Sequence, residues 1–317
     1  MCVASAPSRL DFGGGWTDVP PYPEERGGFV CNLAIERRAR VTLQPGAAEP
    51  HRVPLVAAAL RRANAEGCVS IANDFPVGAG LGGSSAAGVA LAAAIACAQG
   101  RTEGAAALAE WSRHVEVEEM GVAGGRQDHY AAAFGGALGL TFEDVVTVEP
   151  IPLSPATIEA LESRVTLVYT GESRISGETI TAVLDAYRDR KPRVLTSLDR
   201  MAVLARAMRN ALAAGDVSML AELVDEHWTH QRALHPRITT ARIDALERAA
   251  RAAGAQGLKA LGASGGGCVL IVSEADDVSR IVTAVAPYGE PLPWRIATTG
   301  VELSPHVPDR QAAPHDH

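Results

Sequence analysis

Residues 76–87, Pro-Val-Gly-Ala-Gly-Leu-Gly-Gly-Ser-Ser-Ala-Ala, run straight into an alanine-rich apolar stretch that reaches residue 98. Glycine lets main chain turn sharply and come close to a ligand. A helix that begins directly after such a loop leaves its first N–H groups unpartnered, and its macrodipole favours an anion there. The loop therefore predicts a phosphate cradle built from Pro76, Gly78, Ala79, Gly80, Leu81, Gly82, Gly83, Ser84 and Ser85. The two serines can cap the helix or reach a phosphate or a metal. An ordinary N-cap after a loose loop is the plainer alternative. No Gly-Lys-Ser/Thr follows, so the Walker pattern is absent. No early βαβ unit with a downstream acidic residue supports a dinucleotide fold.

The chain around this loop is long enough for two domains, with 317 residues, 47% of them apolar. That share excludes a disordered chain. No run of 18 residues is apolar throughout, so no membrane span is expected. The first nine residues lack a basic start followed by an apolar core, so no secretory signal is read. A net charge of −8 argues against a basic nucleic-acid surface. Five scattered cysteines without a CxxC pair predict neither a disulfide framework nor a zinc site, and a reducing cytoplasm fits that usage.

Residues 3–10, 29–35, 38–43 and 69–73 read as strands, and residues 53–65 and 102–120 as helices. A hairpin is expected over 137–150. The run Ile151-Pro-Leu-Ser-Pro155 marks a boundary. It gives an N-terminal domain at 1–153, a C-terminal domain at 154–303 and a disordered tail at 304–317. The second half opens with a strand at 164–169. Helices follow at 177–190, 194–214, 217–234 and 239–253, then strands at 268–272 and 293–297 with a helix at 278–286 between them. Strands and helices mix without βαβ alternation, which predicts an α+β fold. His227, His230 and His235 are read as a polar helix face rather than a metal site.

Three ordered segments resemble the GHMP kinases. They are Ala6-Pro-Ser-Arg9 with Asp11-Phe-Gly-Gly-Gly-Trp-Thr-Asp18, the loop at 76–87, and residues 259–268 with Gly262-Ala-Ser-Gly-Gly-Gly267. Gly14-Gly-Trp-Thr-Asp18, Pro20-Pro-Tyr22 and Gly125-Arg-Gln-Asp128 are most similar to the branch that phosphorylates a sugar's anomeric hydroxyl, the L-fucokinase and heptose 7-phosphate kinase branch. The resemblance implies a two-domain fold, ribosomal S5 domain 2-like in the N-terminal half and ferredoxin-like in the C-terminal half. It implies ATP and Mg²⁺ as cofactors and a small sugar or sugar phosphate as partner, with no nucleic acid and no membrane.

The resemblance also assigns roles. Asp128 would be the catalytic base, and Arg9 would pair with it and offset transferred charge. Spacing alone favours a turn aspartate after Gly124-Gly125, and the resemblance reverses that reading. Ser84 and Glu116 would share Mg²⁺, which takes oxygen ligands and keeps several waters. Gly83 stands where many members carry a first serine, so Ser85 is a further candidate. Trp16, Thr17, Asp18, Gly125, His129, Tyr130, Arg174, Gly265 and Gly266 would meet the sugar, with Arg174 suited to a sugar phosphate. His129 occupies a place where heptose kinases usually have glutamine. The implied activity is a heptose 7-phosphate 1-kinase; a free-sugar or cyclitol-phosphate kinase and a non-catalytic sugar sensor are the alternatives.

Overall fold

The computed structural model describes residues 1–46, 51–172 and 177–304. The N-terminal half runs β1 (Cys2–Gly13), α1 (Tyr22–Arg26), β2 (Gly28–Pro45), α2 (Pro54–Ala63), β3 (Gly67–Asn73), α3 (Gly83–Ala98), α4 (Ala105–His114), α5 (Gln127–Phe134), β4 (Ala137–Phe142) and β5 (Val146–Ile151). The C-terminal half runs α6 (Pro155–Arg164), β6 (Val165–Tyr169), α7 (Gly177–Arg188), α8 (Pro192–Ala214), α9 (Val217–Leu234), α10 (Ala241–Ala252), β7 (Gly257–Ala260), β8 (Cys268–Val272), α11 (Val278–Val285), β9 (Glu290–Pro291) and β10 (Glu302–Ser304).

An antiparallel sheet in the order β10-β1-β2-β4-β5, with β3 added to the far end of β2, carries the first half. A second, β7-β8-β6-β9, carries the other. The α+β class is as expected. Helix α3 is the centrepiece: residues 85–96 are all buried. Its alanines and Gly88 keep it thin, so sheet and helices can approach from every side. Leu204, Ala205 and Met208 of α8 join the same core as β1 and β2, so one apolar cluster crosses both halves.

Several local expectations are corrected. Residues 29–35 and 38–43 form one strand, because β1 pairs Pro7 with Arg38 and Ser8 with Ile35, and Glu36 and Arg37 are absorbed as a bulge. The helix expected over 102–120 stops at His114 and widens into a π-helical turn, Val115–Glu119. The boundary segment starts α6, whose first turn is capped by the Ser154 hydroxyl accepting from the Thr157 N–H at 3.1 Å. Residues 293–297 make a single bridge, Ile296 to Ile35, and the chain then returns to the first sheet as β10. Cys2 and Cys97 form a disulfide, against the sequence expectation. They lie 95 residues apart, where the start of β1 meets the last turn of α3, and no local pattern announces the pair. Among the described residues, no helix is long and apolar enough to cross a membrane. The predicted tail, beyond Ser304, lies outside the described residues.

Candidate active site

A cleft of about 630 Å³ is walled by the glycine loop, the end of β1, the turn before α5 and the late glycine turn at 261–266. Helix α3 starts straight after Gly82, which sits at φ 71° and caps nothing with a side chain. The loop and the first turn, including Gly83, Ser84 and Ser85, line the cleft. Sixteen residues of dipole therefore end on bare N–H groups beside this space.

Main chain braces the loop from both sides. Arg9 N–H donates to Leu81 O at 3.0 Å, and Cys268 N–H to Ala79 O at 2.8 Å. A Cβ on Gly80 would lie 2.6 Å from Leu261 O, and one on Gly82 would lie 3.1 Å from Asp128 Cγ. Glycine at those two places lets the loop touch the late turn and the carboxylate together.

Arg9 projects from β1 and Asp128 from the first turn of α5. Arg9 Nε donates to Asp128 Oδ1 at 2.7 Å and Nη2 to Oδ2 at 2.9 Å, a two-pronged pair. Arg9 Nη1 also donates to Gly80 O at 2.6 Å. Arg9 is 3% exposed and Asp128 26%, so the carboxylate remains open to the cleft.

Glu116 rides on the π-helical turn. Ser84 Oγ donates to its Oε1, and Ser85 Oγ to its Oε2 at 3.2 Å. Burial pushes the Glu116 carboxyl up, but His129 and the two serines together outweigh it and hold the group below its ordinary value. An ionised carboxylate next to a hydroxyl suits Mg²⁺, which takes few protein oxygens and completes its shell with water and phosphate. No group of three or more His, Cys, Asp or Glu able to hold a metal occurs among the described residues. The donor set here fits a cation that arrives with a phosphate.

The far end of the cleft is polar and underused. Asp18 is buried, and its Oδ2 accepts from the Gln127 N–H at 3.0 Å. A Cβ on Gly125 would collide with that carboxylate, so Gly125 makes its room. Burial pushes the Asp18 carboxyl up to about 6; the Gln127 N–H opposes this, and Asp128 and Asp11 add to it. Trp16, at φ 80°, lines the same wall. Its Nε1, Gln127 Oε1 and Asp11 Oδ1 are buried and have no partner among the described residues.

The remaining candidates divide. Gly266 lines the cleft; Gly265 turns away, its N–H donating to Ile238 O at 2.9 Å. Thr17 does not line the cleft: its hydroxyl donates to Gly14 O at 2.6 Å and lies 3.1 Å from Phe29 O, pinning the triple-glycine turn to β2. Tyr130 is buried on the opposite side of α5, stacked on Phe134 with its hydroxyl on Glu110 Oε1 at 2.8 Å. His129 is buried behind Glu116 rather than beside the cleft. Arg174 lies outside the described residues. Gln127 and Asp11 lie inside the motifs named above but are not singled out there, since the members of a motif look alike until the fold aims them. His227 is taken up by the triple glycine, accepting from the Gly14 N–H at 2.9 Å.

The family model described as GHMP kinases N terminal domain matches residues 52–136, and that described as GHMP kinases C terminal matches residues 208–290. Together they take in more than half of the chain. A bifunctional fucokinase/GDP-fucose pyrophosphorylase of Arabidopsis thaliana is 26% identical over 84% of this chain, which spans 29% of that protein. A D-glycero-alpha-D-manno-heptose 7-phosphate kinase of Campylobacter jejuni is 28% identical over 67% of this chain and 63% of its own length. The chain thus spans less than two thirds of either relative. The crystal structure of a D-glycero-D-manno-heptose 1-phosphate kinase from Bacteroides thetaiotaomicron superimposes with a TM-score of 0.78 at 23% identity, covering 97% of this chain and 100% of that one.

Proposed function

The chain belongs to the GHMP kinase family, and on that premise we propose that it is an ATP-dependent kinase for the anomeric hydroxyl of a sugar. The observation that carries this reading is the cleft's two ends. One end offers bare amides, a hydroxyl and a carboxylate to a phosphate chain. The other presents Asp18 and three unpartnered buried polar atoms on Trp16, Gln127 and Asp11. An unmet buried polar atom costs about 1–3 kcal/mol, and a polyhydroxylated ring meets several of them together. Between the ends stands Asp128.

Asp128 accepts the proton of the sugar hydroxyl as that oxygen bonds to the γ-phosphorus and the bridging oxygen leaves with ADP. Arg9 holds both Asp128 oxygens in place and sets its charge beside the transferring group. The amides of the glycine loop and the first turn of α3 face the terminal phosphates. Ser84 and Glu116 would hold Mg²⁺, which when bound neutralises phosphate charge.

The substrate we favour is a heptose 7-phosphate, in line with the name of the similar Campylobacter jejuni kinase. One observation supports a second reading, a free-sugar kinase of the fucokinase kind. Among the described residues lining the cleft, Arg9 is the sole basic side chain, and Asp128 occupies it. The deciding experiment is an ADP-release assay across heptose 7-phosphates, fucose, mannose and cyclitol phosphates, with ³¹P NMR of the product. A C1-phosphorylated heptose 7-phosphate supports the first reading and fucose 1-phosphate the second. No ADP release from any of them, in protein that binds both nucleotide and sugar, would instead favour a sensor.

A further inference from the structure

Behind Glu116 lies a buried polar layer that the reaction itself does not use. His129 is 1% exposed. Its Nε2 lies 3.0 Å from Glu116 Oε2 and 3.3 Å from Ser85 Oγ, and its Nδ1 lies 3.0 Å from Ser112 Oγ. Ser112 is itself 1% exposed, and a Cβ on Gly88 of α3 would run into its hydroxyl. Three helices therefore converge on one imidazole: α3 by Ser85 and Gly88, α4 by Ser112, and α5 by His129 itself.

Resting on the reading of Ser84 and Glu116 as the cation's protein ligands, we propose that His129 is a positioning residue that holds Glu116 Oε2 from the buried side and turns Oε1 toward the cleft. The hydrogen bonds specify how. A carboxylate only accepts, so Nε2 carries the proton it shares with Glu116. Nδ1 of that tautomer is then the acceptor, and Ser112 donates to it. Ser85 donates to the same Oε2. Oε2 thus has two donors behind it, whereas Oε1 has the exposed Ser84 hydroxyl. A glutamate on a π-helical turn has three free rotors, and a buried donor removes that freedom before a cation arrives. The layer also accounts for His129 next to Asp128: one turn of α5 presents the base to the cleft and the brace to Glu116.

Glutamine can do the same work, since its amide donates from nitrogen and accepts at oxygen, whereas leucine fills similar space and can do neither. The test is an EPR titration of Mn²⁺ into the full-length protein saturated with a non-hydrolysable ATP analogue, beside calorimetry of the analogue alone without metal. Removing the ring's hydrogen bonds, His129→Leu is expected to weaken Mn²⁺ about 10–100-fold while leaving metal-free analogue affinity unchanged. His129→Gln is expected to stay within about threefold of the parent, and Ser112→Ala to fall between the two. A folded His129→Leu with parental Mn²⁺ affinity overturns the proposal, as does a His129→Gln that loses as much as the leucine variant. Should the leucine variant not fold, an unchanged Mn²⁺ affinity in Ser112→Ala overturns it. A parent protein that takes up no Mn²⁺ with the analogue instead overturns the cation reading, and that failure shows before any variant is made.

Discussion

Strand β1 carries two charged side chains, Arg9 and Asp11, two residues apart on one face, and each finds a partner of opposite sign. Arg9 meets Asp128 with two short hydrogen bonds, and the carboxylate stays 26% exposed at the cleft. Asp11 meets Lys259 of β7 at 3.1 Å, and the two are 3% and 0% exposed. Burial lowers the Lys259 ammonium from its usual range, and Asp11 opposes that. The chemistry of the two pairs is alike; access divides them. The open pair has a charge to offer a substrate. The sealed pair ties β1 of the first half to β7 of the second: Lys259 takes Asp11 Oδ2 and its main-chain O, and only Asp11 Oδ1 is left to the cleft.

That contrast can be broken by substitution. The largest effect is expected from Asp128→Asn, with kcat falling 10²–10⁴-fold and nucleotide affinity nearly unchanged; steady-state kinetics beside calorimetry check it, and near-parental kcat would remove Asp128 from its role. Lys259→Met should instead act on stability, costing about 3–5 kcal/mol in urea unfolding because Asp11 is left buried and unpaired. Adding Asp11→Leu should recover much of that loss. If Lys259→Met lowered kcat 100-fold in folded protein, the division between the two pairs would fail.

Asp18 tests the ground between them, being as buried as the sealed pair and lining the cleft with Asp128. Its folded value of about 6 stands above the ordinary 3.8, so the folded state holds the extra proton between those values. Stability is therefore lost as pH rises through that window. Asp18→Asn should flatten the loss and be more stable than the parent by about 1–3 kcal/mol at pH 8, with little difference near pH 3. The parent's kcat/KM should rise through about pH 6 as the carboxylate becomes an acceptor for sugar hydroxyls, and the variant's should not. The smallest change is expected for Tyr130→Phe: about 1 kcal/mol of stability from the lost Glu110 hydrogen bond and no shift in sugar KM.

The parts of the site made from main chain were the most legible in the sequence. A loop that needs glycine for backbone angle and close approach must write glycine, and residues 76–87 and 262–267 did so. Arg9, Glu116 and Asp128 came through order and resemblance, and the fold brings each to one cleft. Side-chain direction was less legible. Tyr130 and His129 adjoin Asp128 in the chain, but successive residues on a helix point about 100° apart, so neighbours of a site residue face elsewhere. Thr17 is hard to place from sequence for a related reason: a hydroxyl beside a glycine turn bonds main chain as readily as a ligand, and here it bonds Gly14 O. The disulfide between Cys2 and Cys97, the bulge at Glu36 and Arg37 and the return of β10 to the first sheet depend on long-range pairing, which no window of sequence contains.

The bond from Cys268 N–H to Ala79 O gives the glycine loop a support that is translated far later than the loop itself. A nascent first half leaving the ribosome has the loop's residues but not the turn that presses on them. Tight nucleotide capture should therefore report a finished polypeptide rather than an emerging one. A chain truncated before residue 261 would lose the cradle while keeping every residue of the cradle's own motif.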